Sequence, residues 1–176
     1  MESPLLDRQQ IAEALRQLGD RLRFRGVVAD IYVIGGAAMA LAYDARRATR
    51  DIDAVFVPHG IVIDEARKVA DALHLPYWWL NEQASVYVSP GGDPDATVVF
   101  DHPNLRVMAA SPTHLLAMKV LAARRRDITD IRFLVDLLAL ESVSQIVDIC
   151  NRVFPDEEIP QRVTLILEDI FESDST

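Results

Sequence analysis

The chain has 176 residues, of which 50% are hydrophobic and 26% are charged, so its composition excludes a disordered protein and fits one globular domain with a sizeable core. Proteins that coat nucleic acid have a surface that is basic throughout, and the formal net charge of −9 excludes such a surface here. No segment reaches the roughly 18 consecutive apolar residues that a membrane helix needs, and the start resembles no targeting signal, so we expect a cytoplasmic protein without a membrane partner.

The first predicted element is a packing helix to which we assign no chemistry. Asp7 and Gln10 have the spacing of a capping box at its start. Gly26 is predicted to end this helix ahead of the first strand. The apolar positions between them recur at helical spacing, namely Ile11, Leu15, Leu18 and Leu22.

A glycine pair then separates a predicted strand from a short predicted helix. The strand is the apolar run Ile31–Ile34, the pair is Gly35 and Gly36, and strong helix formers follow from Ala37. Glycines at this point allow the backbone to approach an anion closely, and the helix start offers unpaired N–H groups to a phosphate. The alternative is an ordinary turn without a ligand, because such glycine pairs are common in α/β proteins.

Two aspartates alternate at the start of the next predicted strand, Thr49–Val57. Strand periodicity places Asp51 and Asp53 on one face and Ile52 on the other. Two such carboxylates can hold Mg²⁺ or Mn²⁺, which take their remaining ligands from water and substrate phosphates. A solvated strand edge is the alternative, but the coupling of a phosphate turn to an aspartate pair predicts metal-assisted nucleotidyl transfer.

This combination resembles the nucleotidyltransferase superfamily, whose signature is an apolar strand, Gly-Gly or Gly-Ser, a short helix and Asp-x-Asp. The resemblance implies an α/β fold with a small mixed β-sheet flanked by helices, and transfer of a nucleoside monophosphate from an NTP to an acceptor hydroxyl. It also implies that Asp51 and Asp53 bind the metal. The implied nucleotide-binding positions in this region are Gly35, Gly36, Thr49 and Arg50.

The middle of the chain predicts packing elements. Val62–Leu73 is predicted as an amphipathic helix, and His59 before it as a turn histidine without an orienting partner. Trp78 and Trp79 are interpreted as core anchors, with stacking on a nucleobase as the alternative. A short strand is predicted over Ser85–Val88.

Two further strands are predicted over residues 96–100 and 105–109. Many enzymes of the resembled superfamily carry a third carboxylate on a later strand, where it completes the metal site or acts as general base. Neither predicted strand here contains an acidic residue. Asp101 follows the first strand directly and is the nearest candidate, although a turn over Asp101–Asn104 is the stronger interpretation.

A lysine and two aspartates lie around the next helix junction. Ser111-Pro112 predicts a helix start, and Lys119 lies off its apolar stripe. The arginines at positions 124–126 then lead to Asp127 and Asp130. In the structural interpretation these aspartates occupy the N-cap and N3 positions of a second helix. In the functional one, Lys119 opposes triphosphate charge and the arginines form a basic rim.

The lysine-then-Arg-Asp-x-x-Asp pattern is similar to that of the AbiEii-like toxins of abortive-infection type II and of the related small bacterial DUF6036 nucleotidyltransferases. The resemblance covers roughly residues 31–140. It implies that Lys119 and Arg126 contact the nucleotide, and that Asp127 completes the catalytic centre, with Asp130 as a further candidate for the third carboxylate. It further implies a bacterial toxin with a cognate antitoxin as partner and tRNA 3′ ends as acceptor.

Residues 142–172 predict two packing helices, with Cys150 in the core. We therefore expect residues 1–176 to form a single nucleotidyltransferase-like domain with its core at 27–140. One alternative is a weak or inactive relative that serves as a binding or antitoxin module, which the missing strand carboxylate favours. Another is a transferase that acts on a protein or small-molecule hydroxyl.

Overall fold

A computed structural model of the protein describes residues 4–173. Within this range the chain forms five strands and seven α-helices, together with single turns of π-helix at Met39–Tyr43 and of 3₁₀-helix at Ser85–Tyr87 and Arg125–Asp127. In chain order the elements are α1 (Arg8–Phe24), β1 (Ala29–Val33), α2 (Gly35–Ala38), β2 (Ile52–Val57), α3 (His59–Leu73), β3 (Leu80–Asn81), β4 (Thr97–His102), β5 (Leu105–Ala109), α4 (Pro112–Ala122), α5 (Ile128–Leu137), α6 (Val143–Val153) and α7 (Gln161–Ser173).

The described chain divides into two compact units. The first contains residues up to Val86 together with Asp95–Ala110, and so holds all five strands and α1 to α3. The second contains Tyr87–Pro94 and the residues from Ser111 onward, and so holds α4 to α7. The organisation as one domain over residues 1–176 stays a prediction.

The first unit is built on a mixed sheet with the strand order β3-β2-β1-β5-β4. Strand β1 runs antiparallel to β2 and parallel to β5, whereas β3 is parallel to β2 and β4 antiparallel to β5. Helices α1 and α3 pack against each other, and both contact the sheet. The predicted fold class, a small mixed sheet flanked by helices, is confirmed. Successive side chains of a strand point to opposite faces of the sheet, and the apolar side chains lie on one buried face. The buried side chains of this face include Ile31, Val33, Ile52, Ala54, Phe56, Leu105 and Val107.

The ends of α1 follow the predicted capping pattern. The Gln10 N–H donates to Asp7 Oδ1 at 2.8 Å, and the Asp7 N–H donates to Gln10 Oε1 at 2.9 Å. Gly26 has a φ of +66°, a backbone conformation that suits glycine just beyond a helix end. The capping box and the glycine stop are both confirmed, so short-range chemistry fixes both ends of this helix.

The second unit is helical, and its apolar side chains come mainly from α4 and α6. Both predicted C-terminal helices are present, as α6 and α7. Cys150 is 2% exposed, and burial raises the pKa of its thiol to about 12, so the cysteine is an inert core residue as predicted. No helix within residues 4–173 is both long enough and apolar enough to cross a lipid bilayer.

Two predictions of secondary structure are wrong, and one short strand was not predicted. Helix α3 starts at His59 and not at Val62. Ser85–Tyr87 is a 3₁₀ turn with Val86 79% exposed, although its polar-apolar alternation mimics a strand. The edge strand beside β2 is instead β3, whose two residues are too few to show any periodicity.

Candidate active site

The glycine pair forms the start of α2 and lies against the start of β2. Gly35 has a φ of +64°, and a Cβ at this position would have no heavy atom within 4 Å. A Cβ at Gly36 would lie only 3.1 Å from Thr49 Oγ1, so the two residues are close neighbours. The Ile34 N–H also donates to the carbonyl of Asp53 at 2.9 Å. The turn therefore has an open side next to the aspartate-bearing strand.

The two aspartates share one face of the sheet. Asp53 lies in β2 opposite Asn81 of β3, and residues paired in this way direct their side chains to the same face. Asn81 Nδ2 donates to Asp51 Oδ2 at 2.7 Å, which places the Asp51 carboxylate on that face as well. Ile52 and Ala54 are fully buried on the opposite face. This is the arrangement that strand alternation predicts.

Thr49 braces the segment that leads into β2. Its hydroxyl donates to the carbonyl of Asp51 at 3.0 Å. Its backbone forms two hydrogen bonds with Leu6, of 2.6 and 2.9 Å, which tie the segment to the start of the chain. Arg50 is exposed. The structure thus brings Gly35, Gly36, Thr49, Asp51 and Asp53 into one neighbourhood of the first unit.

The donor set of this neighbourhood fits a hard divalent cation that shares its ligands with a phosphate. Mg²⁺ commonly binds through one or two carboxylates and fills its octahedron with water and phosphate oxygens. Asp51 and Asp53 offer that number of carboxylates on one face. Within residues 4–173 no three or more His, Cys, Asp or Glu side chains cluster closely enough to hold a metal by themselves. The pair suits a metal that arrives with its nucleotide.

The prediction of Asp101 as the third carboxylate of this centre is wrong. It lies inside β4 and not in a turn, and the strand pairings put it in one row with Arg106, Asp30 and Val57. That row meets β2 four residues beyond Asp53. Asp101 is therefore about 13 Å away along the strands and three strands, about 14 Å, across the sheet. Ligands of one metal lie far closer together than this.

Asn81 occupies the strand position beside Asp53, and no sequence pattern predicted it as a site residue. Besides its bond to Asp51, its Nδ2 donates to the carbonyl of Trp78 at 3.1 Å. Its Oδ1 accepts from the Gln83 N–H at 3.0 Å. These three bonds fix the amide so that its NH₂ group faces Asp51. An amide donor thus stands next to the aspartate pair.

The second unit contains a lysine held between two carboxylates. Lys119 Nζ lies 3.2 Å from Asp127 Oδ1 and 2.6 Å from Asp130 Oδ2, and the three side chains are only 12 to 15% exposed. Asp127 occupies the predicted N-cap position of α5, but its carboxylate makes no cap hydrogen bond and its backbone is helical, with φ −86° and ψ −10°. Asp130 lies in the first turn of α5 as predicted.

The predicted site residues therefore form two groups, one in each unit. The glycines, Thr49 and the aspartate pair belong to the first unit, and Lys119, Asp127 and Asp130 to the second. Arg126 is exposed, as are the two arginines before it. That the two groups join in one centre stays a prediction.

His59 has a partner that the sequence did not reveal. Its Nε2 lies 2.6 Å from Glu82 Oε2, and its ring stacks on Phe56 with the centroids 5.4 Å apart. Glu82 follows Asn81 directly and is brought to His59 by the pairing of β3 with β2. The expectation of a histidine without an orienting partner is wrong.

Comparison with known proteins gives one family match. The model of the family DUF6036, described as a nucleotidyltransferase of unknown function, matches residues 5–168. No curated protein matches the chain significantly. Among solved structures, an antigenic nucleotidyltransferase-like protein from Paracoccidioides brasiliensis is 15% identical over 98% of this chain and 92% of its own, with a TM-score of 0.49. At that identity and TM-score the likeness supports no conclusion about this chain.

Proposed function

Because the chain belongs to the DUF6036 family of nucleotidyltransferases, we propose that it transfers a nucleoside monophosphate from an NTP to an acceptor hydroxyl. The acceptor oxygen bonds to the α-phosphorus, the bond from that phosphorus to the bridging oxygen breaks, and pyrophosphate leaves. The observation that carries the proposal is the shared face of Asp51 and Asp53 beside the open Gly35 turn. A phosphate turn next to two hard oxygen ligands is what this reaction needs.

In the first unit, each residue has a role that follows from its contacts. The backbone at Gly35 and Gly36 accommodates the triphosphate on its open side. Asp51 and Asp53 hold Mg²⁺ or Mn²⁺, which neutralises phosphate charge when bound. Asn81 and Thr49 keep Asp51 in place through its carboxylate and its carbonyl. Positioning and charge stabilisation supply most of the rate enhancement in phosphoryl-type transfer.

In the second unit, Lys119 is proposed to oppose the charge of the nucleotide phosphates, with exposed Arg126 beside the nucleotide. Asp127 is proposed as the base that takes the acceptor proton, and Asp130 holds the ammonium of Lys119 at 2.6 Å. These roles rest on the resemblance to AbiEii-like and DUF6036 sequences. The ion pairs also link α4 to α5, so the lysine has a structural role as well.

The biological role that we propose is that of a toxin of a bacterial toxin–antitoxin pair. A cognate antitoxin is the proposed protein partner and a tRNA 3′ end the proposed acceptor. The exposed arginines at positions 124–126 would attract RNA phosphates, whereas the net charge of −9 opposes general RNA binding. A protein or small-molecule hydroxyl is the alternative acceptor.

The test is label transfer from NTPs carrying ³²P at either the α or the γ position, with Mg²⁺ and total tRNA or cell lysate. The wild type is expected to transfer α label but not γ label, because pyrophosphate leaves. Asp53→Ala should lose transfer, whereas Asp101→Ala, which changes an exposed aspartate of the same unit, should retain it. Undiminished α-label transfer by Asp53→Ala would contradict the metal assignment.

The second candidate function is an inactive nucleotide-binding or antitoxin module. The observation that favours it is that the strand position next to Asp53 carries the neutral amide of Asn81 and not a third carboxylate. This candidate predicts that the wild type binds an NTP but transfers no label to any acceptor. Transfer that depends on Asp53 excludes it.

A further inference from the structure

An open groove of about 520 Å³ lies at the β3 edge of the first unit. Helix α3 forms one wall, the turn before β3 forms another, and the end of β3 closes it. Its volume is within the range of small-molecule sites, roughly 300–1,000 Å³. The residues that carry the argument are Arg67, Tyr77, Trp78, Asn81 and Glu82.

The two neighbouring tryptophans have different environments. Trp79 is fully buried, and its indole N–H donates to the carbonyl of Ala66 at 2.8 Å, so it anchors the core. Trp78 is 43% exposed and lines the groove. Because Trp79 serves the core, Trp78 remains as a large aromatic surface in contact with solvent. Such a surface is the usual platform for a planar ring.

Tyr77 extends the aromatic wall. It is 61% exposed, and its hydroxyl donates to Asp71 Oδ1 at 2.8 Å. This hydrogen bond and the charge of Asp71 raise the pKa of the Tyr77 phenol above its ordinary value. Its position at the groove is fixed by that bond.

One residue connects the groove to the aspartate pair. Asn81 lines the groove, and its Nδ2 donates to Asp51 Oδ2 at 2.7 Å. One side chain therefore separates the aromatic wall from a carboxylate that we assign to the metal.

The polar groups of the groove fit a heteroaromatic ring better than a purely apolar ligand. Arg67 contributes a cation, and Glu82, held at 2.6 Å by His59, contributes a carboxylate that can accept from an exocyclic amino group. We propose that this groove binds a nucleobase, with Trp78 as the stacking platform. The proposal rests on the proposed function for its choice of ligand class. The base belongs either to the donor NTP or to a nucleotide of the acceptor.

Binding of two ligands by the intact protein tests the proposal, without any need for turnover. One ligand is an NTP analogue with a methylene bridge between its α- and β-phosphorus atoms, and the other is a short single-stranded RNA. Affinities are measured by calorimetry for the wild type, Trp78→Ala, Trp78→Phe and Phe24→Ala. Phe24 is the matched control, since it is 93% exposed and does not line the groove.

Trp78→Ala should weaken one ligand about tenfold, the scale of base–aromatic stacking. Trp78→Phe should weaken it less than threefold because a smaller aromatic ring remains, and Phe24→Ala should leave it unchanged. Loss confined to the NTP analogue assigns the groove to the donor base, and loss confined to RNA assigns it to the acceptor. Equal affinities of the wild type and Trp78→Ala for both ligands overturn the proposal.

The unfolding midpoint and the label-transfer assay distinguish failure of the groove proposal from misfolding and from failure of the proposed function. The asparagine contact uses the backbone carbonyl of Trp78, so the substitution leaves that bond intact, and an unchanged unfolding midpoint checks the fold. If the wild type transfers no label but Trp78→Ala still loses affinity, the proposed function fails and the groove stands. If the wild type transfers label and Trp78→Ala has unchanged affinities, the groove fails and the function stands.

Discussion

Replacing Asn81 by aspartate should weaken the protein without metal and make its stability depend on Mg²⁺. The substitution puts a carboxylate oxygen where an NH₂ group now donates to Asp51 at 2.7 Å. Two unit charges about 4 Å apart interact by about 4 kcal/mol at an effective dielectric constant of about 20. Because Asn81 and Asp51 are both partly exposed, screening by water reduces this to about 1–2 kcal/mol, to which the lost hydrogen bond adds about 1 kcal/mol.

Urea denaturation of the wild type, Asn81→Asp and Asn81→Ala, each with and without Mg²⁺, measures the effect. Asn81→Ala is the matched control because it loses the same hydrogen bond without adding charge. Asn81→Asp should be the less stable of the two without metal, and Mg²⁺ should restore more stability to it than to the other proteins, because it adds a third carboxylate. Equal stability of the two variants, with no response to Mg²⁺, would refute the placement of Asn81 beside the aspartate pair.

Three further predictions concern Glu65, Gly35 and Lys119. Burial raises the pKa of Glu65, but hydrogen bonds from a lysine and two arginines outweigh it, so its pKa lies below the ordinary value of 4.5. Glu65→Gln should lower the free energy of unfolding by about 1–3 kcal/mol at neutral pH, as measured by urea denaturation. This difference should disappear as the pH falls below 4.5, because a lowered pKa in the folded protein stabilises only the ionised carboxylate. An unchanged difference at low pH would contradict this. Gly35→Ala should lower the unfolding free energy by about 1–2 kcal/mol through its positive φ, whereas Gly60→Ala, without a positive φ, should not, and equal effects would show that strain is absent. Lys119→Met should destabilise the protein by about 3 kcal/mol because it removes the ammonium that pairs with the buried carboxylate of Asp127 and with the carboxylate of Asp130. Wild-type stability would contradict that packing.

Local chemistry explains why much of the first unit was predictable. The capping box of Asp7 and Gln10, the stop at Gly26 and the alternation of β2 each depend on neighbours within a few residues. The same holds for the common face of Asp51 and Asp53. Patterns of this kind are visible in sequence because the contacts that they specify are short-range.

At the candidate site, the errors concern contacts that local sequence patterns do not specify. Asn81 reaches Asp51 only because the two residues of β3 pair with β2, and Glu82 reaches His59 for the same reason. The register that removes Asp101 from the metal site is set by three successive strand pairings. Asp127 has the sequence of a helix cap, but its carboxylate binds Lys119, eight residues earlier. Neither the register of a strand nor the choice of a side chain between two hydrogen-bond partners is visible in the local sequence.

The central claim is that Asp51 and Asp53 hold a divalent cation together with a nucleotide. Binding of Mn²⁺, followed by electron paramagnetic resonance in the presence of the methylene-bridged NTP analogue, tests it most directly. The account predicts one tightly bound Mn²⁺ in the wild type and in Asp101→Asn, and loss of affinity by about a hundredfold in Asp53→Asn. Equal Mn²⁺ affinity in Asp53→Asn and the wild type would contradict it.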